Sequence, residues 1–395
     1  MEPSLLIGGL SARLHGVSDD SQRYTAGLLQ ALAQVPDPRD PRGRIHLLPG
    51  LLAVAVSAVA AGQRSVSAIG EWAADLPMSA RERLQMTREA FTGCYLAPDA
   101  CTIGRVLARV DADALDSAIS RWLISRTTAG VAAGRRVIAV DGKTLRGSGR
   151  PGAQVHLLAA LDQGTGTVVA QNNVDGKTNE ITRFQPLLAE LDLTGAVITA
   201  DALHTQREHA RWLTETKHAS YVFTAKKNQP RLYRQLKALP WTKIPVLDET
   251  NNAGHGRRDI RQLQAITCIG PLALDFPHAR QALRIRRRRY NQATGRWSTV
   301  TVYAITNLDA TQAKPADLAD WLRGHWLIES LHYLRDVTFG EDASQVRTGS
   351  APQTLATLRN TVISLLRLAG TTNIAKALRH NSRNPDRPLQ LLEIT

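Results

Sequence analysis

The chain has 395 residues, with 49 Lys and Arg against 35 Asp and Glu and a formal net charge of +14. Hydrophobic residues make up 43% and charged residues 21%, which is typical of a folded protein and excludes an intrinsically disordered one. The length predicts two or three domains, and the basic excess indicates an anionic partner, either nucleic acid or an acidic membrane surface.

Cysteine usage and the amino terminus both favour the cytoplasm. The three cysteines, Cys94, Cys101 and Cys268, are an odd number without a Cys-x-x-Cys pair, which argues against a disulfide framework and a zinc ribbon. Such usage suits a reducing compartment. Residues 1–16 lack a basic segment ahead of an apolar run and so do not predict a signal peptide.

An apolar stretch at residues 45–62 is about as long as a membrane span. His46, Pro49, Gly50 and Ser57 interrupt it, and alanine dominates its second half. We therefore predict a buried helix that begins after Pro49, and no membrane partner.

Residues 1–130 are predicted to be mostly helical and to form a domain that binds or accompanies DNA. Within this region a turn at residues 97–99 precedes a short helical segment that carries Thr102 and Arg105. This segment fits the reading helix of a helix-turn-helix. It fits an ordinary capped helix of a bundle equally well, and the sequence does not decide between the two.

From Arg136 onwards the pattern predicts an α/β domain over residues 136–395. Short apolar runs and helical spacing give strands at 137–140, 155–161 and 167–171, a helix at 180–191, a strand at 196–200, a helix at 206–216 and a strand at 220–225. This βββαβαβ order predicts an antiparallel meander to which two strands are added in parallel. Helices resume at Pro315.

Two aspartates follow strands that should be neighbours in the sheet. Asp141 comes directly after the strand at 137–140, and Asp201 directly after the strand at 196–200. In open sheets, ligands bind at the carboxyl ends of parallel strands. Two carboxylates placed there repel each other unless they are protonated or bridged by a cation such as Mg²⁺. One such Asp is most simply a turn residue, but two in matched positions favour a metal site.

A third acid is expected from the helix that begins near Pro315. His325, Glu329, His332 and Asp336 share one face of this helix. A solvated face with helical charge pairs would also produce such a stripe. Glu329 is the best third ligand because its apolar neighbours would anchor it. The rivals are Asp336, Glu341 and Asp342.

The motif Val-Asp-Gly-Lys-Thr occurs twice, at residues 140–144 and 174–178. Neither copy is a P-loop, because Val137 and Gln171 stand where that motif needs its first glycine. The second copy precedes a helix, and we predict that Asp175 is a turn residue.

The chain resembles DDE transposases of bacterial insertion sequences, in the branch that includes the H-repeat-associated proteins. Four segments carry the resemblance: DPRDPRGRIHLLPGLLAVAVSAVAAG, IAVDGKTLRGS, KTNEITRFQPLLAELDLTGAVITADALHTQ and HWLIESLHYLRDVTFGED. The resemblance implies a ribonuclease-H-like fold with Asp141, Asp201 and Glu329 as the catalytic, metal-binding triad. It also implies that two Mg²⁺ ions (Mn²⁺ is an alternative) support cleavage of the element's ends and transfer of the 3′-OH ends into target DNA. We expect a homo-oligomer on the DNA.

The resemblance is incomplete around the glutamate. Broader relatives carry Tyr and Arg before it and Lys after it, where this chain has Leu322, His325 and Asp336. The H-repeat branch shares the His-Trp form. His325, Asp336 and Arg335 are the candidates for supporting the DNA end.

Other functions stay open at this point. One is an inactive or domesticated relative that only binds DNA, and another is a ribonuclease-H-like host nuclease or resolvase. A tyrosine recombinase is disfavoured because no tyrosine follows the His-x-x-Arg pattern at residues 332–335. A serine recombinase is disfavoured because nothing singles out an activated serine.

Positive charge is concentrated between the second and third predicted acids. Residues 217–305 hold 17 Lys and Arg and 4 Asp and Glu, so their net charge is +13 and the rest of the chain carries +1. We predict a basic, strand-rich insert at about residues 228–305 that grips DNA phosphates, although a solvated strand or loop could also carry this charge. Alternation along a strand should put some arginines on each face. The predicted DNA-binding residues are Lys226, Lys227, Arg257, Arg258, Arg284, Arg286, Arg287, Arg288 and Arg289.

Overall fold

The computed structural model describes residues 27–127, 134–174, 179–254 and 256–394. The prediction for residues 1–16, the predicted turn at Asp175 and the side chain of Arg257 lie outside this description.

Fourteen helices occur in the described residues. They are α1 Leu28–Leu32, α2 Leu48–Ala60, α3 Val66–Ala74, α4 Met78–Arg83, α5 Ala100–Leu107, α6 Ala112–Thr127, α7 Glu180–Leu188, α8 Arg207–Arg211, α9 Pro230–Ala238, α10 Pro315–Gly324, α11 Trp326–Tyr333, α12 Ala351–Leu368, α13 Ile374–Asn381 and α14 Asp386–Leu391. Two of them continue as π-helical turns, α8 into Trp212–Thr216 and α11 into Leu334–Thr338.

The strands form one mixed sheet in the order β3-β2-β1-β4-β5-β9-β8-β7-β6. They are β1 Val137–Thr144, β2 His156–Asp162, β3 Val168–Val174, β4 Val197–Ala200, β5 Ser220–Ala225, β6 Asp248–Gly254, β7 Arg257–Thr267, β8 Gln281–Asn291 and β9 Arg296–Thr306. Strands β1, β4 and β5 run parallel, and the other pairings are antiparallel. The predicted α/β class is therefore confirmed. The basic segment continues the same sheet, because β9 pairs with β5.

Strand β1 is longer than its apolar run indicates. Its parallel pairing with β4 ends at Val140 opposite Ala200, but residues 141–144 go on pairing with β2. Asp141 therefore lies inside β1 and not after it, which corrects the predicted boundary. It remains the first residue of β1 beyond the pairing with β4.

The two faces of the sheet are covered by different helices. Helices α7, α8 and α9 pack on one face against residues such as Val140, Ile198 and Phe223. Helices α10 and α11 lie on the other face. There Ile328 and Leu331 of α11 join the core shared by the N-terminal helices and α12. The N-terminal and C-terminal helical regions thus bury their apolar surfaces together.

Helix α2 occupies the apolar stretch near the start of the described residues. It begins at Leu48 with Pro49 in its first turn, and every residue of it except Pro49 is buried. No described helix is long and apolar enough to cross a membrane. The predicted buried helix is confirmed, with its start two residues earlier than expected.

Helix α5 contains Thr102 and Arg105. The backbone N–H and hydroxyl of Thr102 both donate to the carboxylate of Asp99, at 2.8 and 2.7 Å. Asp99 is thus the N-cap of a short helix. The exposed Arg105 donates to the Cys101 carbonyl. Thr102 has a capping role that needs no DNA contact.

A buried ion cluster joins the end of the α11 segment to α12. The Glu341 carboxylate lies 2.8 Å from Nη2 of Arg335 and 2.9 Å from Nη1 of Arg359, and all three side chains are buried. Burial opposes ionisation of Glu341, but the two guanidinium groups outweigh it and hold its pKa below the ordinary value. Glu341 therefore stays ionised and compensates two buried cations.

We predict that Glu341→Gln lowers the unfolding free energy at pH 7 by about 3–5 kcal/mol, because it leaves buried arginines uncompensated. A depressed pKa stabilises the fold above the unfolded-state value of 4.5 and loses that contribution as pH falls through the folded-state pKa. The variant should therefore lose less stability than the wild type on acidification below that value. Urea denaturation at several pH values measures both effects.

Glu393→Gln is the matched control. Glu393 pairs with Arg126 on the surface and is 58% exposed, so its loss should change the unfolding free energy by less than about 1 kcal/mol. Equal effects of the two substitutions would contradict a structural role for the buried cluster.

Candidate active site

Asp141 and Asp201 occupy matched positions at one edge of the sheet. Each follows the last residue of the β1–β4 pairing, in which Val140 lies opposite Ala200. Side chains alternate along a strand, so Asp141 shares its face with Ala139, which packs with α11. Asp201 shares that face with Thr199. The structure thus brings the two predicted aspartates to one edge and one face.

Several acidic side chains act on the carboxyl group of Asp141. Burial raises its pKa to about 7, and the charges of Asp201, Glu180 and Glu329 add to the rise, although the backbone N–H of Gly142 opposes it. Any cation that binds at this edge would relieve the repulsion and favour the ionised form of Asp141.

Asp201 and Glu329 reach the site from different elements. One carboxylate oxygen of Asp201 accepts the N–H of Leu203 at 2.8 Å and caps the turn Ala202–His204. Glu329 is an exposed side chain on α11, and its charge acts on Asp141. Both acids are therefore near Asp141, and each keeps carboxylate oxygen available for another partner.

Glu180 is a fourth acid that the sequence patterns did not single out. It begins α7 directly after the N-cap Asn179. Its carboxylate packs against Gly142, where any Cβ would overlap it. One oxygen lies 2.8 Å from Nε2 of His156 and the other 3.2 Å from Nε2 of His204. Burial raises its pKa, but the two imidazoles outweigh burial and lower it to about 2.

His332 touches the central aspartate. Its Nδ1 lies 3.6 Å from Oδ2 of Asp141. Burial, with the nearby cations Arg335 and Lys143, lowers its pKa well below the ordinary value, so the imidazole is neutral at pH 7. Its Nε2 is buried and has no hydrogen-bond partner among the described residues. His332 thus lies beside Asp141 without cancelling its charge.

His325 marks a break in the predicted helix. The helix from Pro315 was expected to run without interruption, but α10 ends at Gly324 and α11 begins at Trp326. A Cβ at Gly324 would overlap Gln163, which donates to Thr199 Oγ1 at 2.9 Å and to a carbonyl of α10 at 3.3 Å. Nδ1 of His325 lies 3.0 Å from the same hydroxyl. Burial lowers the pKa of His325 to about 4. Its imidazole is therefore neutral at pH 7 and links the helix to the sheet.

Asp336 and the other candidates from this region have partners elsewhere in the protein. Asp336 lies 2.5 Å from Nζ of Lys143, which projects from β1. Arg335 is fully buried against Glu341. The expectation that Arg335 supports a DNA end is therefore corrected: Arg335 follows the buried Leu331 by four residues, so its side chain lies on the face of this helical segment that points into the core. Glu341 is committed to the same core, and Asp342 lies 3.4 Å from Arg146.

The side chains at this edge are the type of ligand that a hard cation prefers, but they do not form a complete coordination sphere. Carboxylate oxygens are the ligands that Mg²⁺ takes from proteins, and it usually takes only one or two carboxylates together with waters and substrate phosphates. Within the described ranges, no three His, Cys, Asp or Glu side chains are placed to hold a metal ion among themselves. Asp141 and its acidic neighbours could therefore supply some, but not all, of the ligands of such an ion.

The predicted DNA-binding residues divide into free and engaged side chains. Lys226 and Lys227 are exposed at the end of β5, next to the edge that carries Asp201. Arg258 is exposed and donates to Asn251. These three side chains are accessible to solvent, and the two lysines lie nearest to the candidate site.

Parts of the arginine run in β8 are used inside the protein. Arg284 donates to Gln264 at 2.6 Å and stacks on Trp241. Arg288 stacks on Trp297, with 4.8 Å from its Cζ to the ring centroid. The remaining three are placed as follows: Arg289 donates to Asp259 at 2.7 Å, Arg286 is half-buried and Arg287 is exposed.

We predict that Glu180→Ala lowers the unfolding free energy at pH 7 by about 1–3 kcal/mol, because it removes the acceptor of two imidazoles and His204 is 0% exposed. Urea denaturation is the measurement. Glu215→Ala is the matched control, since Glu215 pairs with His278 on the surface at 2.7 Å, and it should cost less than about 1 kcal/mol. A loss as small for Glu180 as for Glu215 would contradict a structural role for the buried pairings.

Comparisons with known proteins identify the family of the chain. A family model described as "Transposase DDE domain" matches residues 132–365, and one described as "DDE_Tnp_1-associated" matches residues 29–123. "Putative transposase YncI" of Escherichia coli O157:H7 is 30% identical over 362 residues, which are 86% of this chain and 87% of that protein. "H repeat-associated putative transposase YhhI" of Escherichia coli K12 is 28% identical over 362 residues, 86% of this chain and 90% of that protein.

Among solved structures, the piggyBac transposase synaptic complex with hairpin DNA is similar over 94% of this chain and 79% of that chain, with a TM-score of 0.44 and 12% identity. The resemblance stated from the sequence is confirmed by the family match, which spans more than half of the chain. The chain belongs to the transposase DDE domain family.

Proposed function

We propose that this protein is a DNA transposase that cleaves phosphodiester bonds at the ends of an insertion sequence and joins the freed 3′-OH ends to target DNA. The observation that carries the proposal is the placement of Asp141 and Asp201 at matched positions, on one face, among further acids that raise the pKa of Asp141 to about 7. Such crowding is unfavourable without a cation, so it supports a metal site.

The sheet order supports a ribonuclease-H-like core. Strands β3, β2 and β1 form the antiparallel meander, and β4 and β5 are added to β1 in parallel. This is the order that the apolar runs of the sequence predict. We assign residues 136–395 to the catalytic domain with its basic insert at about 228–305, and residues 1–130 to the associated helical domain.

Asp141, Asp201 and Glu329 would supply oxygen ligands to Mg²⁺ or Mn²⁺. When bound there, the ion would lower the pKa of the attacking water and stabilise the leaving 3′-oxygen. Nδ1 of the neutral His332 lies 3.6 Å from Oδ2 of Asp141, so this neighbour adds no positive charge that would compete with the cation. No side chain of the protein has to attack DNA, because water and the 3′-OH are the nucleophiles of the two steps.

The partners follow from the reaction. We propose that the protein acts as a homo-oligomer on DNA, in which each of the element's two ends is held by its own active site. We place it in the cytoplasm, where bacterial DNA lies. The exposed Lys226 and Lys227 beside the site would hold the DNA backbone there.

We predict that Asp141→Asn, Asp201→Asn and Glu329→Gln each reduce metal-dependent cleavage by about 10³-fold or more, while folding and DNA binding persist, since each removes a ligand charge from the reaction centre. The assay uses duplexes that span the genomic flanks of the gene, with Mg²⁺ and with EDTA.

Asp175→Asn is the matched control, because Asp175 stands at the same place in the second Val-Asp-Gly-Lys-Thr copy. Full activity of the Asp201 variant, or an equal loss in the Asp175 variant, would contradict the assignment. Cleavage without preference for the element's ends would indicate a host nuclease, and binding without cleavage by the wild type an inactive relative.

A further inference from the structure

The strands of the basic segment extend past the edge that carries the candidate active site. Strand β5 ends at Ala225, which pairs with Tyr303 of β9. Strand β9 begins at Arg296, and at 3.3 Å per residue its outer part therefore reaches about 20 Å beyond the end of β5. Strands β7 and β8 accompany it over this length. The outer halves of these three strands form an arm beside the site.

Alternation divides the arginine run of β8 between the two faces of this arm. Leu283 and Ile285 face α10, on the side of the sheet that also carries Asp141 and Asp201. Arg287 must share that side. Arg286 and Arg288 point to the opposite face, where Arg288 stacks on Trp297. Only part of the run can therefore face DNA that enters the active site.

A groove of about 280 Å³ lies on the active-site face between the arm and α10. Arg261 of β7, Arg287 of β8 and Arg323 of α10 line it above an apolar floor. Arg261 and Arg287 are directly opposite each other on neighbouring strands. Like charges in that relation destabilise a sheet, so this pair needs an explanation.

The acids on this face leave the pair without full compensation. Asp259 lies 2.7 Å from Nε of Arg289 but 3.9 Å from Arg261. Asp320 pairs with Arg323 on the surface of α10, and Asp248 lines the groove. The side chain of Arg287 forms no hydrogen bond or ion pair with another residue of the described part of the chain. Burial lowers the pKa of Arg261, and the charges of Arg287 and Arg323 contribute.

We propose that this groove binds the sugar-phosphate backbone of the DNA on which the active site acts, through Arg261, Arg287 and Arg323. The inference rests on the proposed function and assigns a path to its substrate. An anionic phosphate between Arg261 and Arg287 would turn their repulsion into two charge-assisted hydrogen bonds. The apolar floor suits the sugar carbons. Arg323 belongs to α10 and so lies outside the basic insert.

The strand register gives the distance from the groove to the site. Asp201 lies level with Thr224 of β5, which pairs with Ala304, and Arg287 pairs with Val300. The separation is thus about 13 Å along the strands and about 14 Å across three strand spacings, or roughly 20 Å in all. At 3.4 Å per step this corresponds to about six base pairs. The groove should hold phosphates about half a helical turn from the cleaved bond.

The test compares two double variants of equal charge. The variant Arg261→Gln/Arg287→Gln removes two arginines from the groove. The variant Arg286→Gln/Arg288→Gln removes two arginines from the opposite face. The probe is a duplex of about 40 base pairs, with binding measured over a range of salt concentrations. We expect the groove variant to bind at least about tenfold more weakly, and its slope of log K against log salt to fall in magnitude by about 2.

The control variant should change the slope by much less. The groove variant should also unfold at the same or a higher temperature than the wild type, because the cross-strand repulsion is gone. A wild-type slope in the groove variant, or equal losses in both variants, would overturn the inference while wild-type DNA cleavage still supports the proposed function. Failure of the wild type to bind DNA at all would overturn the proposed function as well.

Discussion

The parallel pairing of β1 with β4 sets the position of every other part of the candidate site. It ends at Val140 opposite Ala200, so the next residue of each strand is an aspartate at the same level and on the same face. Helix α11 then has to cross this face with Ile328 and Leu331 buried beneath it, which brings Glu329 and His332 over Asp141. A shift of one residue in this register would turn one aspartate to the opposite face.

The side chains around this edge do not neutralise its acidic groups. Lys143 is the nearest cation in β1, but it is engaged by Asp336. His332 and His325 are held neutral by burial. The carboxylate of Glu180 pairs with the imidazoles of His156 and His204. These neighbours leave Asp141 uncompensated, with its pKa raised to about 7, so a divalent cation bound there would favour its ionised form.

The positive charge of the basic segment lies mostly away from this acidic centre, along the arm formed by the outer halves of β7, β8 and β9. The net charge of +13 in residues 217–305 is not spread evenly over that surface. Arg284 and Arg288 stack on tryptophans, and Arg289 pairs with Asp259. These contacts stabilise long, twisted strands beyond the core. Of the charge left for a partner, Arg261 and Arg287 line the groove beside α10, and Lys226 and Lys227 lie near the candidate site.

Much of the site could be predicted because it follows strand ends. Apolar runs locate β1 and β4, and the aspartates come next in the chain, so Asp141 and Asp201 needed no tertiary information beyond the order of strands. Glu180 could not be found in this way. Its carboxylate occupies the space that a side chain at position 142 would fill, and it lies 38 residues after Gly142 in the chain. Arg335 was misassigned because its burial depends on Glu341 and Arg359, which other segments bring to it in the folded protein.

The sequence by itself determined the fold class, the helix buried near the amino terminus, the family and the aspartate pair, because these depend on local periodicity, strand order and motifs. Only the tertiary structure decided which charges meet: Glu180 with His156 and His204, Glu341 with Arg335 and Arg359, and Arg261 opposite Arg287. The physical reason is that periodicity assigns a residue to a face, whereas its partner comes from a distant segment that folding brings to that face.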